Sequence, residues 1–383
     1  MARSIRRWGV VGVLLVGVVL GAATPGLAAK GRPAAGPGTV AWITINAADG
    51  DLLGAEDPDR EGAPASMTKM MLALLVVEAV RDGQLKLSDP VTTSAVASKM
   101  GGSQVYLKQG ESFSVDDLLG ALMVGSANDA AAALAERLAG SLQGAVDRMN
   151  ERAAALKLTK TRFGSVHGLP PSPGQPGDLT TPRDMARLSQ ELVKFPDVLR
   201  WTSTPDAPFR GGAFHMQNVN KLVGRVAGVD GLKTGHFHEA GYNLAATAKR
   251  GDVRIISVIM GAPSNAARFS EAARRLEEGF ARYVKVTVAK AGAPVGDPVW
   301  IGRARTDFRP VPGGEVAVLV KREEREALKS SVELQPDLRA PLPQGHRVGT
   351  LVVRAGEKEV ARVPVVTPAP IARKTFWWLT PWK

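Results

Sequence analysis

The chain has 383 residues, a net charge of +12, 44% apolar residues and no cysteine. That length accommodates two domains with a substantial core, and the lack of cysteine excludes disulfides, thiolate metal sites and cysteine nucleophiles. The basic surplus suits anionic lipids or anionic wall polymers; nucleic acid is not indicated, because no basic-aromatic recognition pattern accompanies the charge.

Residues 1–29 read as a secretory signal. Arg3, Arg6 and Arg7 precede an apolar run from Val10 to Leu20, and Gly26-Leu27-Ala28 supplies small residues for cleavage before Ala29. The run is short for a membrane span, and the rest of a twin-arginine motif is missing around Arg6-Arg7. The mature protein is expected outside the cytoplasm, on the outer face of the cytoplasmic membrane, in the periplasm or in the cell wall. Residues 30–38 are Gly/Pro-rich and read as a linker.

A body spanning 39–283 follows. Val40 to Asn46 is a strand, and 48–51 a turn. Ser66 opens a helix whose Met70–Val77 run is apolar throughout, and Arg81-Asp82-Gly83 stops it with a glycine. Residues 94–112 are loop-like. Ser114 caps the next helix, with Asp117 three residues on in capping-box position, and Gly125 ends it. An alanine-rich helix runs from Asn128 to Gly140, and helical patterns cover 142–156 and 181–194, the last with Pro182 near its first turn. From 226 the period changes: 226–235, 242–248 and 253–260 are strands, the last two joined by a hairpin turn over 249–252. A helix covers 266–283.

Residues 284–370 hold short alternating segments (284–288, 299–302, 315–320, 330–334, 347–353, 359–366) and form an all-β module. The tail, 371–383, gathers Phe376, Trp377, Trp378 and Trp382 beside Lys374 and Lys383. Aromatic rings favour the membrane interface and lysines favour anionic headgroups, so the tail reads as a peripheral anchor, too short to span a bilayer. The fold class is α+β, with a small all-β domain behind it.

Three short motifs carry the chemistry. Ser66 and Lys69 stand three apart at a helix start, where their side chains meet; a desolvated lysine can take a proton from a serine hydroxyl. Ser126 and Asn128 lie in the break between two helices. Lys233-Thr234-Gly235 ends a strand, followed by His236. Singly, each has a plain structural reading: a capping serine with a surface lysine, another cap, an exposed strand end. Together, and in this order, Ser-x-x-Lys, Ser-x-Asn and Lys-Thr-Gly are the motif set of penicillin-binding proteins and active-site-serine β-lactamases, each in the element it requires.

The chain resembles the serine-type D-Ala-D-Ala carboxypeptidases, the low-molecular-weight penicillin-binding proteins. Pro64-Ala65-Ser66-Met67-Thr68-Lys69-Met70, Gly125-Ser126-Ala127-Asn128-Asp129-Ala130-Ala131, Val229 to His236 and Ala240-Gly241-Tyr242-Asn243-Leu244 all look like the family's signatures. The resemblance implies a penicillin-binding/β-lactamase-like fold, an antiparallel sheet with flanking helices plus a helical subdomain. It implies Ser66 as the acylated nucleophile, Lys69 as its base, and Ser126 as proton donor to the departing D-alanine and as a group that orients Lys69. Asn128 would bond both Lys69 and substrate. Lys233, a compact cation at the cleft edge, would take the substrate carboxylate with Thr234 beside it. The backbone N–H groups of Ser66 and His236 would form the oxyanion hole, and Gly235 would let substrate lie along the strand. The expected partners are a peptidoglycan stem peptide ending in D-Ala-D-Ala and covalently bound β-lactams. No cofactor and no metal are expected; His167, His215 and His238 give no zinc pattern.

Three alternatives stay open at this point. A class A β-lactamase would need a Glu-x-x-Leu-Asn loop between the second and third motifs, which is missing; Glu191-Leu192 sits in a helical pattern. A transpeptidase differs only in whether an amine or water accepts the acyl group. A catalytically dead wall-binding protein conflicts with the intact motifs.

Overall fold

The structure is a computed structural model that describes residues 40–304 and 306–374; the expected signal, the linker and the aromatic residues of the tail lie outside the described residues. Strand β1 (Ala41–Asn46) pairs with β2 (Leu52–Glu56), and helix α1 (Lys69–Arg81) follows a 3-10 turn over Ala65–Thr68. The short hairpin β3 (Pro90–Thr92) and β4 (Ser112–Ser114) leads into α2 (Val115–Met123), α3 (Asn128–Ala139) and α4 (Leu142–Ala155). After a long loop come α5 (Pro182–Leu192), α6 (Pro196–Thr202) and the hairpin β5 (Asp206–Phe209) and β6 (Phe214–Gln217). Strands β7 (Val229–Phe237), β8 (Gly241–Arg250) and β9 (Val253–Ala262) and helix α7 (Asn265–Ala281) complete this part.

The main sheet is antiparallel, in the order β2-β1-β9-β8-β7, so β7 is an edge. Side chains of a strand alternate faces, and the two faces have different partners. Ile255 and Ile259 of β9 pack with Leu244, Ala272 and Leu276 under α7, whereas Ile256, Val258 and Met260 join the helical core around α1. Helix α1 is buried almost all round, because Met70, Met71, Leu72, Leu74 and Val76 have no solvent-exposed surface. Burial of one such side chain contributes about 1.5–3 kcal/mol. A central helix of that kind holds its first residues in a fixed place.

The expected Ser114–Asp117 capping box is present: Ser114 Oγ accepts from Asp117 N at 3.0 Å and Asp117 Oδ2 from Ser114 N at 3.3 Å. The helix expected to open at Ser66 instead begins as the 3-10 turn and becomes α-helical only at Lys69.

Beyond α7 the chain is all β. Strand β10 (Tyr283–Ala289) is followed by β11 (Val311–Pro312), β12 (Val316–Lys321), β13 (Leu328–Leu334), β14 (Arg347–Ala355) and β15 (Lys358–Val366). They form a β10-β12 pair and a β11-β15-β14-β13 sheet around Phe308, Val316, Val318, Leu351 and Val365. The segment 299–302, expected as a strand, makes only single bridges, Val299 with Phe308 and Gly302 with Arg339. Asn46 Nδ2 donates to the Tyr283 hydroxyl at 2.7 Å, and Lys321 and Lys358 pair with Asp51 and Asp49 at 2.8 and 2.7 Å.

Candidate active site

The three motifs converge in one cleft, between the free edge of β7, the turn before α1 and the loop between α2 and α3. Ser66 is part-buried in the 3-10 turn. The residue before it, Ala65, has φ of +50°, and Ser126 has φ of +62°. Non-glycine residues in this region carry backbone strain of about 1–3 kcal/mol, which survives where the surroundings over-determine it.

Those surroundings are specific. Asn243 Nδ2 on β8 donates to the Ala63 carbonyl at 2.9 Å, while its Oδ1 accepts from Gly261 N at 2.8 Å, tying the approach to Ser66 onto the sheet. A side chain on Gly235 would run into the Pro64 carbonyl oxygen and stand 3.1 Å from Ser66 N. The glycine therefore lets β7 lie against the turn that carries Ser66. On the other side a side chain on Gly168 would strike the Ala65 carbonyl.

Lys69 is fully buried. Its Nζ donates to Ser66 Oγ at 3.0 Å and to the His167 carbonyl at 2.8 Å. Desolvation lowers its pKa from 10.5 to about 7, partly opposed by the carboxylates of Asp178 and Asp129. It thus has access to the neutral form near neutral pH. Ser126 does not orient Lys69 as expected. It is joined to Lys233, whose Nζ donates to Ser126 Oγ at 2.8 Å and to the Thr234 carbonyl at 3.0 Å. Lys233 also departs from the compact cation expected at the cleft edge. It is fully buried, and desolvation first, then Lys69 and Arg268, push its pKa well below the ordinary lysine value. Asn128 makes no bond to Lys69; Nδ2 donates to the Gly101 carbonyl at 2.6 Å, and the buried Oδ1 has no partner among the described residues. A buried, unpaired acceptor is costly without a donor. Thr234 is buried beside Lys233, and His236 is exposed, its ring stacked on Tyr242 with centroids 3.8 Å apart.

Three contributors were not foreseen. The His167 carbonyl holds Lys69, while the half-buried imidazole is pushed down to about 4 by desolvation and by Lys69. Asp178 accepts from Thr68 Oγ1 and Ser165 Oγ, each at 2.9 Å, and from the Gly164 and Ser165 N–H groups, so it ties the 164–178 loop to the residue beside Lys69. Arg268 on α7 lies behind β7 and donates to the carbonyls of Gly235 and Asn243, both at 3.2 Å. Lys69, Lys233 and Arg268 bring three basic side chains, each with its pKa lowered by desolvation, to one region. Such a region favours an anion: a substrate carboxylate, or an oxyanion formed during acyl transfer.

Residues 34–264 match the D-alanyl-D-alanine carboxypeptidase family of peptidases, and residues 283–373 match the C-terminal domain of penicillin-binding protein 5. The chain belongs to the D-alanyl-D-alanine carboxypeptidase family. It is a serine-type hydrolase, a D-Ala-D-Ala carboxypeptidase of the penicillin-binding type. It is 35% identical over 347 residues to D-alanyl-D-alanine carboxypeptidase DacC of Escherichia coli K12, covering 88% of this chain and 85% of that one. Among solved structures, penicillin-binding protein 6B of Escherichia coli superposes with a TM-score of 0.64 at 30% identity, covering 88% of this chain and 97% of the other. Penicillin-binding protein D2 of Listeria monocytogenes, in its ampicillin-bound form, superposes at 0.57 with 33% identity, covering 63% and 96%. The family acts on D-Ala-D-Ala ends of peptidoglycan and binds β-lactams.

Proposed function

We propose that Ser66 is the nucleophile of this carboxypeptidase, with Lys69 as its general base. The observation that carries the reading is the 3.0 Å separation of Lys69 Nζ from Ser66 Oγ, by an amine whose pKa is lowered to about 7. Lys69 takes the hydroxyl proton while Ser66 Oγ bonds to the carbonyl carbon of the penultimate D-alanine. The Ser66 and His236 backbone N–H groups stabilise the oxyanion; the close packing of β7 at Gly235 on the turn that carries Ser66, where an added Cβ would stand 3.1 Å from Ser66 N, supports this pairing. The C–N bond then breaks and the leaving amine takes a proton by way of Ser126. Water hydrolyses the acyl-enzyme. The terminal carboxylate of the stem peptide sits against Lys233 and Thr234, and its charge raises the Lys233 pKa. Asn128 Oδ1 accepts an amide N–H of the substrate. Penicillin enters the same cleft and leaves Ser66 acylated.

The protein is exported by its leader, works on the outer face of the cytoplasmic membrane and is held there by its C-terminal residues. No helix among the described residues is long and apolar enough to cross a membrane.

Incubation with labelled penicillin followed by intact-mass measurement tests the central assignment. A covalent adduct is expected on the wild type and not on Ser66→Ala; equal labelling of both sinks it. A pentapeptide ending in D-Ala-D-Ala should release free D-alanine without cross-linked peptide.

A further inference from the structure

One end of the β-domain is basic and carries an exposed indole. The segment 299–304 crosses that end, pairing as single bridges with Phe308, Arg339 and Arg373. Val299 and Ile301 turn inward onto the domain core. Trp300 between them therefore faces water and is 68% exposed. A tryptophan so placed adds nothing to the core and leaves a large apolar surface in solvent.

The cations lie at the same end. Arg303, Arg339 and Arg373 are all exposed, and none of the three pairs with a carboxylate among the described residues. Asp297, Asp307 and Asp337 are the acidic residues beside these segments, and Arg303, Arg309, Arg339 and Arg373 outnumber them four to three. Lys374 N donates to the Arg303 carbonyl at 2.7 Å, which fixes where the chain leaves the domain: directly beside Arg303. From there the sequence continues into Phe376, Trp377, Trp378, Trp382 and Lys383.

We propose that this face docks directly on an anionic lipid surface, with Trp300 at headgroup level and Arg303, Arg339 and Arg373 against lipid phosphates. The proposal rests on the reading that the C-terminal residues meet a membrane, because the exit point beside Arg303 then brings the face to the bilayer. The chemistry is suited to it. Indole rings partition to the membrane interface, and the guanidinium fork matches phosphate bidentately. Stable peripheral attachment generally takes two signals rather than one; here the tail is the first and the basic face the second.

The test uses the chain without its first 29 residues, a variant lacking 375–383, a variant carrying Trp300→Ala, Arg303→Glu and Arg373→Glu, and the combination. Co-sedimentation is measured with phosphatidylglycerol and with phosphatidylcholine vesicles, with D-alanine release as the control for folding. One basic residue near an anionic surface is worth about fivefold in partition. The substituted face should therefore lower phosphatidylglycerol partition at least about twentyfold, less so in high salt, with activity unchanged. The tail deletion should retain salt-sensitive binding that the combination loses. Unchanged partition of the substituted full-length variant overturns the proposal. Unchanged partition of the deletion variant overturns the tail as anchor and, if the substituted variant has lost binding, leaves the basic face as the docking surface. Retention by an anionic wall polymer with no vesicle binding by any variant overturns docking on lipid.

Discussion

Lys233 Nζ lies 2.8 Å from Ser126 Oγ, so the second and third motifs are bonded to each other while Lys69 is bonded to Ser66 and the His167 carbonyl. The site thus contains two separate lysine–serine pairs, Lys69 with Ser66 and Lys233 with Ser126. Ser126→Ala leaves Lys233 with the Thr234 carbonyl alone. If Ser126 relays the proton to the departing D-alanine, the variant should lose about 10²- to 10⁴-fold in D-alanine release. Its Lys69 pair is untouched, so the pH at which acylation by a fluorescent penicillin reaches half-maximum should stay where it was. A shift in that midpoint would mean that Ser126 acts on Lys69 after all.

With Lys69 as the proposed general base, its pKa sets the acid limb of the reaction. Only the neutral amine accepts the Ser66 proton, so acylation should rise with pH up to about 7 and level off above it. Burial is the main cause of the lowering, and the Asp178 charge pulls the other way. Asp178→Asn removes that pull, which lowers the Lys69 pKa further and should move the limb to lower pH. Stopped-flow acylation rates between pH 5 and 9 measure it. A limb displaced to higher pH would reverse the assigned electrostatics.

What could be read in the chain beforehand followed from local chemistry. The Ser114–Asp117 box, the glycine after Arg81 and the two-residue turn at Gly251-Asp252 are short-range signals, and each is found where its residues put it. The three motifs likewise sit on a helix start, an inter-helix loop and an edge strand. The hairpins β3–β4 and β5–β6 escaped notice because strands of three or four residues barely show a period of two. The partners of Lys69 were hidden for a different reason. A backbone carbonyl has no residue identity, and His167 and Asp178 reach the site across sequence separations of 98 and 110 residues. The Ser66–Lys69 pair follows from their spacing, but the sequence does not reveal that Ser126 bonds to Lys233, across 107 residues.

Gly235 tests the packing of β7 on the nucleophile turn. A methyl group there meets the Pro64 carbonyl oxygen and Ser66 N, both backbone atoms that cannot rotate away. Overpacking of this kind costs about 1–3 kcal/mol in stability. The larger effect should be on chemistry, because the turn that carries Ser66 must move relative to Lys69. Gly235→Ala is expected to lower acylation at least 100-fold, by analogy with the effect of small misplacements on reacting geometry, while remaining folded by circular dichroism. Near-normal acylation would show that β7 and the turn can separate freely.

Lys69 should itself be a stability defect retained for function. Between pH 7 and 10.5 the unfolded chain binds a proton on this side chain and the folded protein does not, so stability rises with pH across that window. Below pH 7 the penalty is present in full, and the displacement from 10.5 to about 7 corresponds to about 5 kcal/mol. Methionine has similar length and no charge to desolvate. Lys69→Met removes the penalty but strands the His167 carbonyl, a loss of about 1–3 kcal/mol. The net expectation at pH 7 is stabilisation of about 2 kcal/mol, with acylation abolished. Towards pH 10 the advantage should shrink, because the wild-type lysine is then nearly as readily deprotonated unfolded as folded. Thermal unfolding of both proteins at pH 7 and pH 10 decides it: a variant less stable than wild type at pH 7, or an advantage that grows with pH, would contradict a lysine held neutral by burial.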